Sequence, residues 1–297
     1  MTNKIYTMSD MHVDYKGNFD HLLNLNDPAY AKATLIVAGD ATDDLGKLEQ
    51  LLSHFKTIYA EVFFVPGNHE LWVRRGGFED SVSKFWAIVK MCERIRVQTQ
   101  PKKLGVGDKA VWVVPLFSWY TKPEEGEDSL YYDKSSATNQ VEDETEAIWS
   151  DNFFCRWTQL DTNQRVVDFF LDLNVETCQR DYDAPVISFS HFLPRQDLIF
   201  PLGNWRQNLS QFKDPLPQFN FTSVAGSVDL DSQVRQLGSL LHIYGHQHRN
   251  RHRKEKGITY ISHCFGYPKE RSQAYWRGDN LPKLIWDDGE IEVESEF

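Results

Sequence analysis

Cysteine is scarce, with 4 in 297 residues (Cys92, Cys155, Cys178 and Cys264) and no CxxC pair. A disulfide scaffold and a thiolate zinc cluster are therefore excluded, and a reducing, cytoplasmic setting is expected. Long apolar runs are also missing. The longest, 110–117, is interrupted by Pro115, whereas a membrane span needs about 20 residues. The start, MTNKIYTMSDMH, lacks the apolar core of a signal peptide. Basic charge is in deficit: 32 Lys and Arg stand against 43 Asp and Glu, a net charge of −11. An acidic surface opposes non-specific contact with nucleic acid and anionic membranes, although it leaves room for a local basic pocket. Repeats and low-complexity tracts are absent.

What remains is ordinary globular material, 41% hydrophobic and 25% charged. Lys4–Met8, Thr34–Ala38 and Val62–Val65 read as strands, with helices over about 43–59 and 78–92. That βαβαβ order implies a largely parallel sheet covered by helices. Further strands are expected at 110–116, 185–189, 240–244, 258–262 and 284–293, and a helix at about 161–177. Two segments break the pattern. Residues 121–151 are rich in acid and read as a solvated excursion, and 195–227 are rich in Pro, Gln, Asn and Phe. No linker divides the chain, so one domain over 1–297 with loop insertions at about 121–151 and 195–227 is expected.

Polar residues cluster where these strands end. The first runs into Asp10-Met11-His12, the second into Gly39-Asp40 and the third into Gly67-Asn68-His69-Glu70; later ones end in Ser190-His191 and Gly245-His246-Gln247-His248. The carboxyl edge of an open α/β sheet is where ligands bind, so residues far apart in sequence can converge there. Asp-x-His alone carries little weight, since about one is expected by chance, but Gly-His-x-His is expected about 0.02 times. Carboxylates, imidazoles and one amide oxygen, without thiolates, suit borderline-hard divalent ions.

In this order, D-x-H, GD-x-x-D, GNH-E, a lone His and GH-x-H resemble the calcineurin-like metallophosphoesterase superfamily. Residues 262–268 (SHCFGYP) also look like that family's turn after the last histidines. The resemblance implies a four-layer α/β/β/α sandwich, two mixed sheets flanked by helices. It implies two divalent cations (Mn, Fe, Zn or Mg), the first held by Asp10, His12, Asp40 and His248, the second by Asp40, Asn68, His191 and His246. Asp40 would bridge them at a separation of about 3.5–4 Å. A hydroxide between the cations would attack the phosphorus of a small phosphomonoester or phosphodiester. His69 would be the general acid, with Asp43 orienting it and raising its pKa. Asp44 and the Val13-Asp14 pair depart from the protein Ser/Thr phosphatase pattern and argue against that subgroup.

Taken singly, several of these residues have plainer readings. Asp40 suits a helix N-cap, Asn68 a left-handed turn, and His191 belongs to no motif of its own. His242 reads as a core residue, and His263 as a core or supporting group. Arg74 and Arg75 are candidate phosphate contacts. The run Arg249 to Lys254 reads as the wet face of an edge strand. Trp72, Trp119 and Tyr120 are expected to pack beside the cleft. A nuclease would share the metal chemistry but needs a long basic track, and a silent binding module would be expected to lack a ligand.

Overall fold

The structure is a computed structural model that describes residues 3–133, 142–201, 216–273, 276, 278 and 280–292. Residues 134–141 of the first insertion and 202–215 of the second lie outside the described residues. In chain order the main elements are β1 (Lys4–Met8), α1 (Lys16–Leu23), β2 (Thr34–Ala38), α2 (Leu45–Ile58), β3 (Glu61–Val65), α3 (Ser81–Arg94), β4 (Lys102–Leu104) and β5 (Val111–Pro115). They continue with β6 (Val186–Phe189), β7 (Leu241–Tyr244), β8 (Arg251–Glu255), β9 (Ile258–Ser262), β10 (Lys283–Asp287) and β11 (Glu290–Ile291).

Every residue of β2 and of β5 is buried, as apolar runs covered on both faces require. The helices start where side chains satisfy free N–H groups. Asp44 accepts from Lys47 N at α2, and Asp80 from Val82 N and Ser83 N at α3. Asp44 is therefore the N-cap, and Asp40 is left for other work. Helix α2 buries Leu48, Leu51, Leu52 and Phe55 along one stripe.

Two mixed sheets result, flanked by helices. One is five-stranded in the order β11-β10-β1-β2-β3 and the other six-stranded in the order β4-β5-β6-β7-β9-β8. β1, β2 and β3 run parallel, as do β5, β6, β7 and β9. The sheets face each other across apolar side chains, with Phe63 of β3 edge-on to Phe189 of β6 at 6.4 Å between ring centroids. Beyond β1, Asp10 N bonds Gly39 O at 2.9 Å and His12 N bonds Asp40 O at 3.1 Å, lacing two strand-end loops together.

Two expectations need correction. The helix expected over 161–177 is two, Val166–Leu173 and Val175–Gln179. Between them, the Asn174 side chain bonds both the N–H and the carbonyl of Phe117, at 3.0 and 2.7 Å. The acidic stretch 121–151 is not merely solvated, because Thr121, Leu130, Thr145 and Asp151 are buried. It packs on the other insertion, through Thr121 N to Gly226 O at 3.1 Å and Glu144 N to Gln218 O at 2.9 Å. The basic run does occupy the edge strand β8, but Arg251 and Arg253 donate to carbonyls between Asp197 and Phe200 and so anchor that segment. Among the described residues no helix is long and apolar enough to cross a membrane.

Candidate metal centre

The ends of β1, β2, β3, β6 and β7 all open on one edge, and the sequence places an Asp, Asn or His at each. Donor atoms of Asp10, His12 and His248 lie within 4.8 Å of one another, as do those of His12, Asp40 and His69, and those of Asp40, His191 and His246. Asn68 joins this last group, its Oδ1 lying 3.3 Å from His191 Nε2. Every residue expected as a ligand is thus brought to one place.

The backbone is bent to achieve this. Asp10, His12, Asp40, His246 and His248 have φ of 51°, 43°, 56°, 71° and 49°, a left-handed region that side chains other than glycine rarely occupy. Beyond β7 an unbroken strand would have sent His246 and His248 to the same face; their left-handed turns aim them at different clusters. Gly39 and Gly67 make room for the group. A Cβ at Gly39 would meet His191 Nδ1 at 2.5 Å, and one at Gly67 would land on the Asp40 carboxylate. Asn68, by contrast, is right-handed at φ −70°, so the left-handed turn reading does not hold.

Three of the imidazoles are held through a second nitrogen. His191 Nδ1 donates to Ala38 O at 2.9 Å, and His246 Nε2 donates to Val224 O at 3.0 Å. His248 Nδ1 bonds the Glu270 carboxylate at 2.7 Å. His248 Nε2 then faces His12 Nε2 at 2.9 Å, while His12 Nδ1 is buried without a hydrogen-bond partner. Facing imidazole nitrogens, buried carboxylates and an amide oxygen form a donor set that fits a divalent cation.

The charges agree. Burial would lift the Asp40 pKa, yet His191, His69 and His12 hold it well below the usual carboxylate range. Burial would lower His191, but the neighbouring Asp40 carboxylate outweighs it and raises the imidazole to about 9. His12 and His246 are pushed well down, first by burial and then by neighbouring imidazoles.

His69 follows a different course from the one expected. Its Nε2 lies 3.9 Å from Asp40 Oδ2 and its ring stacks on Trp72 with centroids 3.7 Å apart. Burial lowers its pKa to about 4 instead of raising it. The His248 and His191 imidazoles add to that lowering, and the carboxylates of Asp40 and Asp43 oppose it without reversing it. Asp43 itself bonds other partners. Its Oδ2 accepts from Arg74 Nε, and Oδ1 lies 3.4 Å from Arg75 Nη1; among the described hydrogen bonds none joins it to His69. Arg75 also bonds Asp14 at 3.1 Å, and Arg74 lies over the Trp72 ring at 4.7 Å. His242 is a satisfied core residue between Ser188 and Ser190, and His263 Nε2 bonds Leu281 O at 2.8 Å. Trp72, Trp119 and Tyr120 are all buried.

Three acids were not assigned from the sequence. Glu70 is buried, and its carboxylate accepts from Asp40 N, Ala41 N, Thr42 N and Gly67 N at 2.6–3.0 Å, tying the ends of β2 and β3 together. Glu270 supports His248. Asp151, at the end of the acidic insertion, accepts from Asn68, Trp72 and Trp149. Glu70 lies inside the GNH-E motif and was within reach; Glu270 and Asp151 belong to no motif.

Comparison with known proteins agrees with this geometry. The sequence model of the calcineurin-like phosphoesterase family matches residues 4–195. The chain belongs to this family. It is a hydrolase acting on phosphoric esters, from a divalent-metal-dependent group. The phosphoesterase is 26% identical to the [acyl-carrier-protein] phosphodiesterase PptH of Mycobacterium tuberculosis, over 94% of this chain and 83% of that protein. The crystal structure titled phosphopantetheinyl hydrolase PptH, from the same organism, superposes with a TM-score of 0.69 at 21% identity, covering 95% of each chain.

Proposed function

We propose that this phosphoesterase is a binuclear phosphodiesterase, and that its substrate is a phosphopantetheinyl group carried on an acyl carrier protein. One observation carries the two-metal reading: the convergence of Asp10, His12, Asp40, Asn68, His191, His246 and His248 at a single edge, with His69 beside Asp40. The substrate class rests on the near full-length likeness to PptH. On this reading residues 1–297 act as one cytoplasmic domain.

Asp10, His12, Asp40 and His248 would hold one cation, and Asp40, Asn68, His191 and His246 the other. When bound, the pair supplies Lewis acidity toward phosphoryl oxygens and lowers the pKa of water from 15.7 to about 7. The chain does the rest. The hydrogen bonds of His191, His246 and His248 hold one ring nitrogen each and so aim the other at the cation, which displaces any proton there. His69 gives a proton to the departing oxygen. A bound phosphate anion favours the charged imidazole, offsetting the burial that otherwise lowers it. Trp72 holds the imidazole ring in plane from below. Asp43, together with Asp14, holds Arg74 and Arg75 at the turn after His69, where they are proposed to meet the phosphoryl group.

The test is hydrolysis of a carrier-bound phosphopantetheinyl group and a series of aryl phosphodiesters, with the chelated chain resupplied with Mn²⁺. Metal-dependent cleavage is expected. His69→Ala should slow esters with poor leaving groups about 10²-fold and activated aryl esters much less. Equal slowing across the series removes the acid role, and no cleavage of any ester removes the whole reading.

A further inference from the structure

Asp151 has no part in the mechanism above, yet its carboxylate lies against the metal centre, 3% exposed. It opens the short helix Asp151–Phe154, where the acidic insertion ends. Oδ1 accepts from Asn68 Nδ2 at 2.9 Å and from Trp72 Nε1 at 2.6 Å, and Oδ2 accepts from Trp149 Nε1 at 2.9 Å. All three partners are donors, and an ionised carboxylate only accepts.

The consequence falls on Asn68. An amide has two ends of nearly the same shape, one accepting and one donating. With the donating end on Asp151, Oδ1 points the other way, 3.3 Å from His191 Nε2 and into the cluster of His191, Asp40 and His246. The flipped amide would set its oxygen against a buried carboxylate and its NH₂ toward the cation. Both contacts are repulsive. The same carboxylate holds the indole on which His69 stacks.

We propose that Asp151 is a positioning residue, which selects the ligating orientation of Asn68 and so makes one cation site depend on the 121–151 insertion. This rests on the reading of Asn68 as a ligand. Asp151→Leu is the informative variant. It has nearly the same size and no acceptor, whereas Asn could keep its oxygen where Oδ1 serves both Asn68 and Trp72 and lose only Trp149, which also bonds Tyr120 OH at 3.1 Å.

The experiment titrates Mn²⁺ into the full metal-free chain by calorimetry and electron paramagnetic resonance. Asp151→Leu is expected to weaken one of two binding events 10–100-fold, about the loss seen for supporting groups, and to leave the other unchanged. Two unchanged affinities overturn the proposal. Asn68→Ala separates the two levels. If it weakens binding and Asp151→Leu does not, only the proposal falls; if it changes nothing, the ligand reading falls and takes the proposal with it. Should Asp151→Leu not fold, the unmutated apo chain still decides by NMR. A slowly exchanging Asn68 side-chain amide hydrogen is expected, and rapid exchange of both hydrogens overturns the proposal.

Discussion

Asp10, His12 and His248 form one cluster, and Asp40, His191 and His246 another, yet the two are secured differently. In the second, His191 and His246 each donate to a backbone carbonyl, a neutral acceptor that fixes the tautomer and adds no charge. In the first, His248 leans on the Glu270 carboxylate, and His12 has no partner at Nδ1. Burial would lower His248, but the Glu270 hydrogen bond reverses this and raises it, whereas burial and His191 push His246 well down. One of these carbonyls, Ala38, ends β2, and the other, Val224, lies in a short helical turn at the end of the 195–227 insertion. A carboxylate on a separate short helix must be brought in, and it makes the imidazole a stronger donor to a cation. One cluster is thus steadied by neutral backbone carbonyls, from a strand end and from an insertion, and the other by a charged contact from the tail of the chain.

The largest effect should come from the residue both clusters use. Asp40 lies within donor reach of His12 and His69 on one side and of His191 and His246 on the other. Asp40→Asn is expected to lower kcat by about 10³-fold or more and to weaken both Mn²⁺ binding events. Near-normal turnover would mean that the clusters do not share a carboxylate. Glu270→Gln sharpens the contrast. It keeps the shape of the side chain and removes its charge, so affinity should fall about 10–100-fold at the first cluster alone. An equal loss at both, measured by the same Mn²⁺ titration, would erase the distinction.

The smallest effect concerns an imidazole that belongs to neither cluster. His242 is fully buried between two serine hydroxyls, and burial lowers its pKa from 6.5 to about 3. Folded, it stays neutral; unfolded, it takes a proton below 6.5. The unfolded chain then binds more protons, so stability falls as pH drops from 6.5 toward 3, by about 1.4 kcal/mol per pH unit, and is unaffected above. Denaturant unfolding of the metal-free chain at several pH values should show a slope smaller by about that amount in His242→Gln, the rest coming from His69, His12 and His246, which burial also lowers. An unchanged slope would place the acid sensitivity elsewhere.

Much of this was readable in advance where a residue's meaning is local. The strands Lys4–Met8, Thr34–Ala38 and Ile258–Ser262 occur with the bounds expected from their apolar runs. Asp10, Asp40 and Asn68 followed from their place after a strand. Asp43 shows the limit. Its motif pointed to His69, but Arg74 and Arg75, themselves read as phosphate contacts, compete for the same carboxylate and win in this structure. Such competition between near neighbours depends on rotamers that spacing does not specify. The broken helix at Asn174 is similar, since the side chain that interrupts it bonds Phe117, far away in sequence.

The order and chemical type of the donors were determined by the sequence alone, because strand-end position and ligand softness are properties of short segments. Whether they meet, and what steadies them, was decided only by the tertiary structure. Left-handed backbone at Asp10, His12, Asp40, His246 and His248 is tolerated because two packed sheets hold it there. Glu270 and Asp151 reach the centre across long loops, through hydrogen bonds whose partners no local pattern announces.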